Sequence, residues 1–76
     1  MNMEIKEFIE KFAEAIDVDN VEALGADTEF RELEEWSSLS VMLIIAFYDA
    51  EFDKQIGETS IKGCKTIEDL YKLATA

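Results

Sequence analysis

From Leu39 to Tyr48 the chain runs through ten residues of which only Ser40 interrupts an apolar stretch. That is well short of the roughly 20 residues needed to span a bilayer, so the stretch must be buried in a fold or shown to a partner. Ile44, Tyr48 and Phe52 form one stripe at four-residue steps, and Val41 with Ile45 and Leu43 with Phe47 form two more. The spacing predicts a helix that is apolar nearly all round, either central or presenting one face to a partner. A chain of 76 residues has room for one such centre, and therefore for a single domain over residues 1–76.

The flanking sequence supplies what surrounds it. Ile5, Phe8, Ile9, Phe12 and Ile16 recur at three- and four-residue steps, with Glu4, Lys6, Glu7, Glu10, Lys11 and Glu14 on the other faces, which predicts an amphipathic helix over about residues 3 to 16. From Asp17 to Trp36 the periodicity fails and eight acids face one base, Arg31. Long connections of this kind are more often functional than short ones, and Val21, Leu24, Phe30, Leu33 and Trp36 are expected to pin this one to the core. The central helix should start at the Ser37-Ser38 pair, whose hydroxyls suit an N-cap, and run to about Glu51. The segment from Ile56 to Cys64 reads as one irregular helical turn. Thr66 with Asp69 makes a capping-box-like start for a last helix with Ile67, Leu70, Tyr71 and Ala74 inward. The expected fold is all-α: a small antiparallel bundle of three main helices plus one short helix, with a long first connection.

Charge and composition exclude whole classes of activity. Eighteen acidic against seven basic side chains give a net charge of −11, which repels phosphate backbones and anionic lipid headgroups, so neither nucleic acid nor membrane is an expected partner. Hydrophobic residues make up 49% of the chain, enough for a folded, soluble domain rather than a disordered polyanion. Met1-Asn2-Met3-Glu4 offers no basic leader, so the expected location is cytoplasmic. Histidine is absent, which removes Ser-His and Cys-His nucleophiles, imidazole metal sites and imidazole acid-base catalysis.

The remaining candidates for chemistry are few. Asp17-x-Asp19 begins like a calcium-binding EF-hand loop, but Glu22 stands where that loop needs glycine and Thr28 where it needs glutamate. No two carboxylates are marked as converging on a pocket. Cys64, the single cysteine, lies in register with Ile61 and Ile67 and is expected as a small buried hydrophobe rather than a reactive thiol. The segment Trp36-Ser37-Ser38-Leu39-Ser40 puts three hydroxyls between an acidic loop and an apolar helix. Capping is their ordinary use, but a helix start also stabilises a phosphate through its unpaired N–H groups and positive dipole end.

The string Phe30-Arg31-Glu32-Leu33-Glu34-Glu35-Trp36-Ser37-Ser38-Leu39-Ser40, followed by Ile44-Ile45-Ala46-Phe47-Tyr48-Asp49-Ala50-Glu51-Phe52, resembles the acyl carrier protein family, whose usual pattern is F-R-x-L-x-x-W-D-S-L before an apolar helix with an acidic-aromatic tail. Length, acidity, helix order and the T-I-x-D-L segment from Thr66 to Leu70 extend the likeness over essentially the whole chain. The resemblance implies a carrier, not an enzyme, with a 4'-phosphopantetheine arm on Ser38 whose thiol holds acyl groups as thioesters for fatty-acid, polyketide or related biosynthesis. Ser37 and Ser40 are rival hydroxyls, but Ser38 alone is followed by the motif's leucine. The implied partners are a magnesium-dependent phosphopantetheinyl transferase, which draws the arm from coenzyme A, and acyl-loading and acyl-processing enzymes; the carrier itself is expected to be a monomer. Phe30, Met42, Phe47, Tyr48, Ile61 and Cys64 would line a shelter for the acyl chain.

Two positions depart from the family pattern. The aspartate before the serine is Ser37 here, a comparable N-cap that removes a negative charge beside the modification site. An unprimed, carrier-like protein-interaction module is therefore the alternative. Leu43 stands where many fatty-acid carriers have glutamate, so partner contacts should be more apolar than the usual acid-to-Arg/Lys docking, with Glu32, Glu34, Glu35, Asp49, Glu51 and Asp53 supplying acidity at the two ends of the helix.

Overall fold

The first amphipathic pattern forms helix α1, Ile5–Ala15, with Phe8, Phe12 and Ala13 buried on its inner face. The computed structural model describes residues 3–75, so Met1, Asn2 and Ala76 lie outside the described residues. α1 ends one residue earlier than the apolar spacing suggests, because Asp17 takes a left-handed conformation (φ 61°). The Val18 N–H then donates to the Ala13 carbonyl at 2.8 Å and the Asp17 N–H to the Glu14 carbonyl at 3.3 Å. This is a Schellman stop, and the buried pair Val18 and Ala13 supplies the apolar contact that accompanies it.

Three further helices follow: α2, Ser40–Phe52; α3, Glu58–Lys62; and α4, Ile67–Thr75. The described residues form a small all-α bundle in which α1 packs on α2 and α4, and α2 packs on α3. Phe8 is the hub of the core. Its ring lies 5.6 to 6.3 Å from those of Phe47, Tyr48, Phe52 and Tyr71, so one α1 side chain contacts both α2 and α4. Burying an aromatic of this size contributes about 1.5–3 kcal/mol. The Tyr48 hydroxyl, fully buried, donates to the Leu70 carbonyl and so ties α2 to α4. Its burial raises the phenol pKa far above the ordinary value, with proximity to Cys64 adding to the effect.

The acidic connection between α1 and α2 contains two single 3₁₀ turns, Val21–Ala23 and Phe30–Glu32. Phe30 is fully buried and Val21, Leu24, Leu33 and Trp36 pack half-buried against the core, as expected of the large apolar residues of this acidic segment. The Phe30 ring meets Trp36 at 4.8 Å and Phe12 at 6.4 Å. Backbone pairing attaches the connection to the far end of the chain: the Ile67 and Glu68 N–H groups donate to the Thr28 and Ala26 carbonyls, each at 3.0 Å. Two of the first-turn N–H groups that α4 would otherwise leave unpaired are satisfied there. The expected capping box is also formed, since the Asp69 N–H donates to the Thr66 hydroxyl at 3.2 Å and the Thr66 N–H to the Asp69 carboxylate at 3.1 Å.

Helix α2 resolves the ambiguity of its sequence. Ser40, Ile44, Phe47 and Tyr48 face inward, Val41, Ile45 and Phe52 are half-buried, and Leu39, Met42 and Leu43 stand exposed at its start. Of the residues expected to line a shelter for an acyl chain, Met42 needs correction. Phe30, Tyr48 and Ile61 are fully buried and Cys64 nearly so, all as packed core. Met42 is two-thirds exposed because the inward stripe of α2 passes through Ser40 and Ile44 and leaves position 42 outside. Phe47 and Met42 border two different surface grooves.

Candidate functional site

The Trp36–Ser40 segment is a turn stabilised by two of its three hydroxyls. The Ser37 N–H donates to the Ser40 hydroxyl at 2.9 Å, and the Leu39 N–H donates to the Ser37 hydroxyl at 3.3 Å. The Ser40 N–H donates to the Ser37 carbonyl at 3.0 Å. Ser37 is thus the capping residue and Ser40, only 1% exposed, returns the bond, a reciprocal arrangement of the capping-box kind. The expected start at Ser37-Ser38 holds for the capping turn, while continuous helix begins at Ser40. Leu39 between them already has right-handed helical backbone (φ −79°, ψ −20°).

Ser38 sits inside this turn with its side chain exposed. Among the described residues its hydroxyl takes no part in the hydrogen bonds that hold the turn. The three serines therefore differ in chemical availability: Ser40 is buried, Ser37 is engaged as an acceptor, and Ser38 is open to reagents. A group attached to Ser38 would project from the first turn of α2, where the helix dipole favours negative charge.

Around the turn the surface is acidic with an apolar strip. Glu32, Glu34 and Glu35 before it and Asp49 and Asp53 after it are exposed. Glu51, expected among these acids, is engaged instead: its carboxylate pairs with Lys11 at 2.9 Å and bridges α1 to α2. The hydrogen bond and charge of Glu51 hold the Lys11 pKa above its ordinary value. Leu39 and Met42 are each 66% exposed and Leu43 is 45% exposed. A groove of about 440 Å³ lined by Met42, Ile45, Ala46, Asp49, Gln55 and Ile56 flanks one side of the strip. A second, of about 330 Å³, includes Leu43, Ala46, Phe47 and Ala50 and reaches the Lys11–Glu51 pair.

The other candidates take structural roles. Asp17, the first position of the rejected calcium loop, is the stop residue of α1, and the described residues contain no group of three or more potential metal ligands. Cys64 is buried, as its register with Ile61 and Ile67 predicts. Burial pushes its thiol pKa up, with the nearby Asp69 charge adding to the effect and Arg31 opposing it. Arg31 itself has a role that the sequence pattern does not reveal. Its guanidinium donates to the Cys64 carbonyl at 2.6 Å and the Ile61 carbonyl at 2.8 Å, closing the end of α3, and it lies 4.8 Å from the centre of the Phe30 ring. Two sequence signals set it apart, its being the single base among eight acids and its place in the F-R-x-L string at Phe30-Arg31-Glu32-Leu33.

No helix among the described residues is long and apolar enough to cross a membrane. Comparison of the chain with family models, with curated proteins and with solved structures returns no match.

Proposed function

We propose that this chain is an acyl carrier protein that holds acyl groups as thioesters on a 4'-phosphopantetheine arm attached to Ser38. The observation that carries the reading is the division of labour in the capping turn, where Ser37 and Ser40 are occupied by the fold and Ser38 is exposed and unengaged. This combines with the resemblance of Phe30–Phe52 to the family pattern. The arm fits the residues present: a phosphodiester on Ser38 would lie at the start of α2, in open surroundings, with no core side chain to displace. When attached, the arm supplies a thiol for thioester exchange. The chain's own residues contribute an accessible hydroxyl, a turn that holds it and a surface for the enzymes that load and process the acyl group.

The partners in this reading are a magnesium-dependent phosphopantetheinyl transferase and the enzymes of fatty-acid, polyketide or related biosynthesis, and the compartment is the cytoplasm. The test is intact mass after incubation with coenzyme A, magnesium and a broad-specificity transferase, with Ser38→Ala alongside. One phosphopantetheine increment in the parent and none in the variant supports the carrier. An increment retained by Ser38→Ala moves the site elsewhere.

Ser37 in place of the family's aspartate favours a second reading, a carrier-shaped interaction module that is not primed. Its signature is no increment in the parent with any transferase, restored by Ser37→Asp, together with partner binding that is indifferent to Ser38→Ala.

A further inference from the structure

The path from Phe30 to Ser38 is a run of single turns. The Leu33 N–H donates to the Phe30 carbonyl at 3.2 Å, the Trp36 N–H to the Leu33 carbonyl at 3.0 Å and the Ser40 N–H to the Ser37 carbonyl at 3.0 Å. Phe30, Leu33 and Trp36, at three-residue steps, pack inward, and Arg31 reaches from the same segment to the end of α3. We propose that Arg31 is a positioning residue for Ser38: its fork on α3 fixes the Phe30 and Trp36 rings, and through them the turn that presents the Ser38 hydroxyl. The proposal rests on the carrier reading, since modification of Ser38 is the reaction that the positioning serves.

A relay of contacts leads from α3 to the modification site. The guanidinium donates to the Cys64 carbonyl at 2.6 Å and the Ile61 carbonyl at 2.8 Å, and its carbon lies 4.8 Å from the centre of the Phe30 ring. That ring meets Trp36 at 4.8 Å and 62°, a tilted edge-to-face arrangement of the kind aromatic pairs favour. Phe12 of α1 contacts the same ring at 6.4 Å, which backs the relay with a fixed helix. Trp36 is joined directly to Ser37, the cap of α2, so a shift of the indole carries the turn with it.

The fork suits this task. Ile61 and Cys64 lie in and just past the last turn of α3, where carbonyls run short of intrahelical donors. Two N–H groups on one planar guanidinium fix direction as well as distance. The Ser37–Ser40 bonds tie the turn to α2 and leave it able to pivot with the segment that precedes it, and Arg31 supplies the second point of attachment. The placement matters because in priming the Ser38 oxygen forms a bond to the phosphorus of the arm as the pyrophosphate link of coenzyme A breaks, adenosine bisphosphate leaves and the hydroxyl proton passes to a base of the transferase. A displaced oxygen slows such a step even where binding is unchanged.

The test compares Arg31→Lys, which keeps the charge and loses the fork, with Tyr71→Phe, which loses the bond from the Tyr71 hydroxyl to the Met3 carbonyl and touches no member of the relay. Both are studied in the full chain at a temperature where melts show them folded. Hydrogen exchange of the Ser37 and Ser40 amides, read against interior amides of α4, is expected to quicken about fivefold or more in Arg31→Lys and to stay within about twofold of the parent in Tyr71→Phe. In priming with coenzyme A, magnesium and a phosphopantetheinyl transferase, Arg31→Lys is expected to lower kcat about tenfold with KM within about twofold. Trp36→Phe should lower kcat as well, and its combination with Arg31→Lys should fall short of the product of the two single effects, because both act by one route. Exchange at Ser37 and Ser40 that is unchanged in Arg31→Lys, or raised equally in Tyr71→Phe, overturns the proposal and leaves the carrier reading intact. A raised KM with unchanged kcat and exchange overturns it in favour of direct contact between Arg31 and the transferase. A parent that no transferase primes removes the carrier reading and the proposal together.

Discussion

Ser37 and Ser40 hold each other across the start of α2, the backbone N–H of the first donating to the buried hydroxyl of the second at 2.9 Å. Ser40→Ala removes the acceptor and leaves that N–H without its partner, and is expected to cost about 0.5–2 kcal/mol. Ser38→Ala takes nothing from the turn and should stay within about 0.5 kcal/mol of the parent. Ser37→Asp, an exchange between comparable caps, should fall within the same margin of about 0.5 kcal/mol. Urea denaturation of the three variants checks the order, and a large loss in Ser38→Ala would mean that its hydroxyl supports the fold.

Arg31 closes the end of α3 with a two-pronged bond to the carbonyls of Cys64 and Ile61. A lysine carries the same charge but presents a single ammonium without the planar fork. Arg31→Lys is therefore expected to destabilise the protein by about 1–2 kcal/mol, less than the roughly 1.5–3 kcal/mol of a full charge-assisted bond because Arg31 is exposed and the ammonium keeps one bond, as read from the shift of the denaturation midpoint. A lysine variant as stable as the parent would show that charge alone suffices there.

Asp17 adopts a backbone conformation (φ 61°) that costs a side-chain-bearing residue roughly 1 kcal/mol and glycine almost nothing. Asp17→Gly should stabilise the fold by up to about 1 kcal/mol, less what glycine adds to the entropy of the unfolded chain. Thermal unfolding measures it; a clear loss of stability would mean that the carboxylate contributes a bond of its own.

The Asp69 carboxylate accepts the backbone N–H groups of Lys65 and Thr66, and these bonds hold its pKa below the ordinary 3.8. A carboxylate whose pKa falls on folding stabilises the native state above its unfolded pKa and loses that contribution as the pH drops through the folded value. The melting temperature of the parent should exceed that of Asp69→Asn at neutral pH, and the gap should close on acidification below 3.8. A gap that persisted to the lowest pH would assign the difference to packing instead.

The helices were legible because their apolar residues recur at helical spacing, and the short α3 because glycines bound it. Burial of Ser40 is a finding of the structure: in the sequence it counts as a rival hydroxyl, although it lies four residues before Ile44 in line with Tyr48. The outward face of α2 is not legible in the sequence, because a helix apolar on every side carries no periodic signal of its orientation, and so Met42, expected to line an interior shelter, stands exposed beside a surface groove. Arg31 was beyond reach for a different reason. Its acceptors lie 30 and 33 residues downstream, and no local pattern encodes such a distant partner. Asp17 was open to a better reading, since an aspartate directly after the last apolar position of a helix suits a left-handed stop. At the candidate site the sequence singled out Ser38 by motif, and the bonding of its two neighbours came only with the structure.

The carbonyls of Ala26 and Thr28 receive the amides of Glu68 and Ile67 across about forty residues of intervening chain. Those two amides are consequently natural reporters of whether the acidic connection is seated. Their hydrogen exchange would follow detachment of the connection, an event separate from fraying of α4, whose interior amides keep their own partners. If Ile67 and Glu68 exchange well before the α4 interior, the acidic segment opens as a unit of its own on a bundle that stays closed.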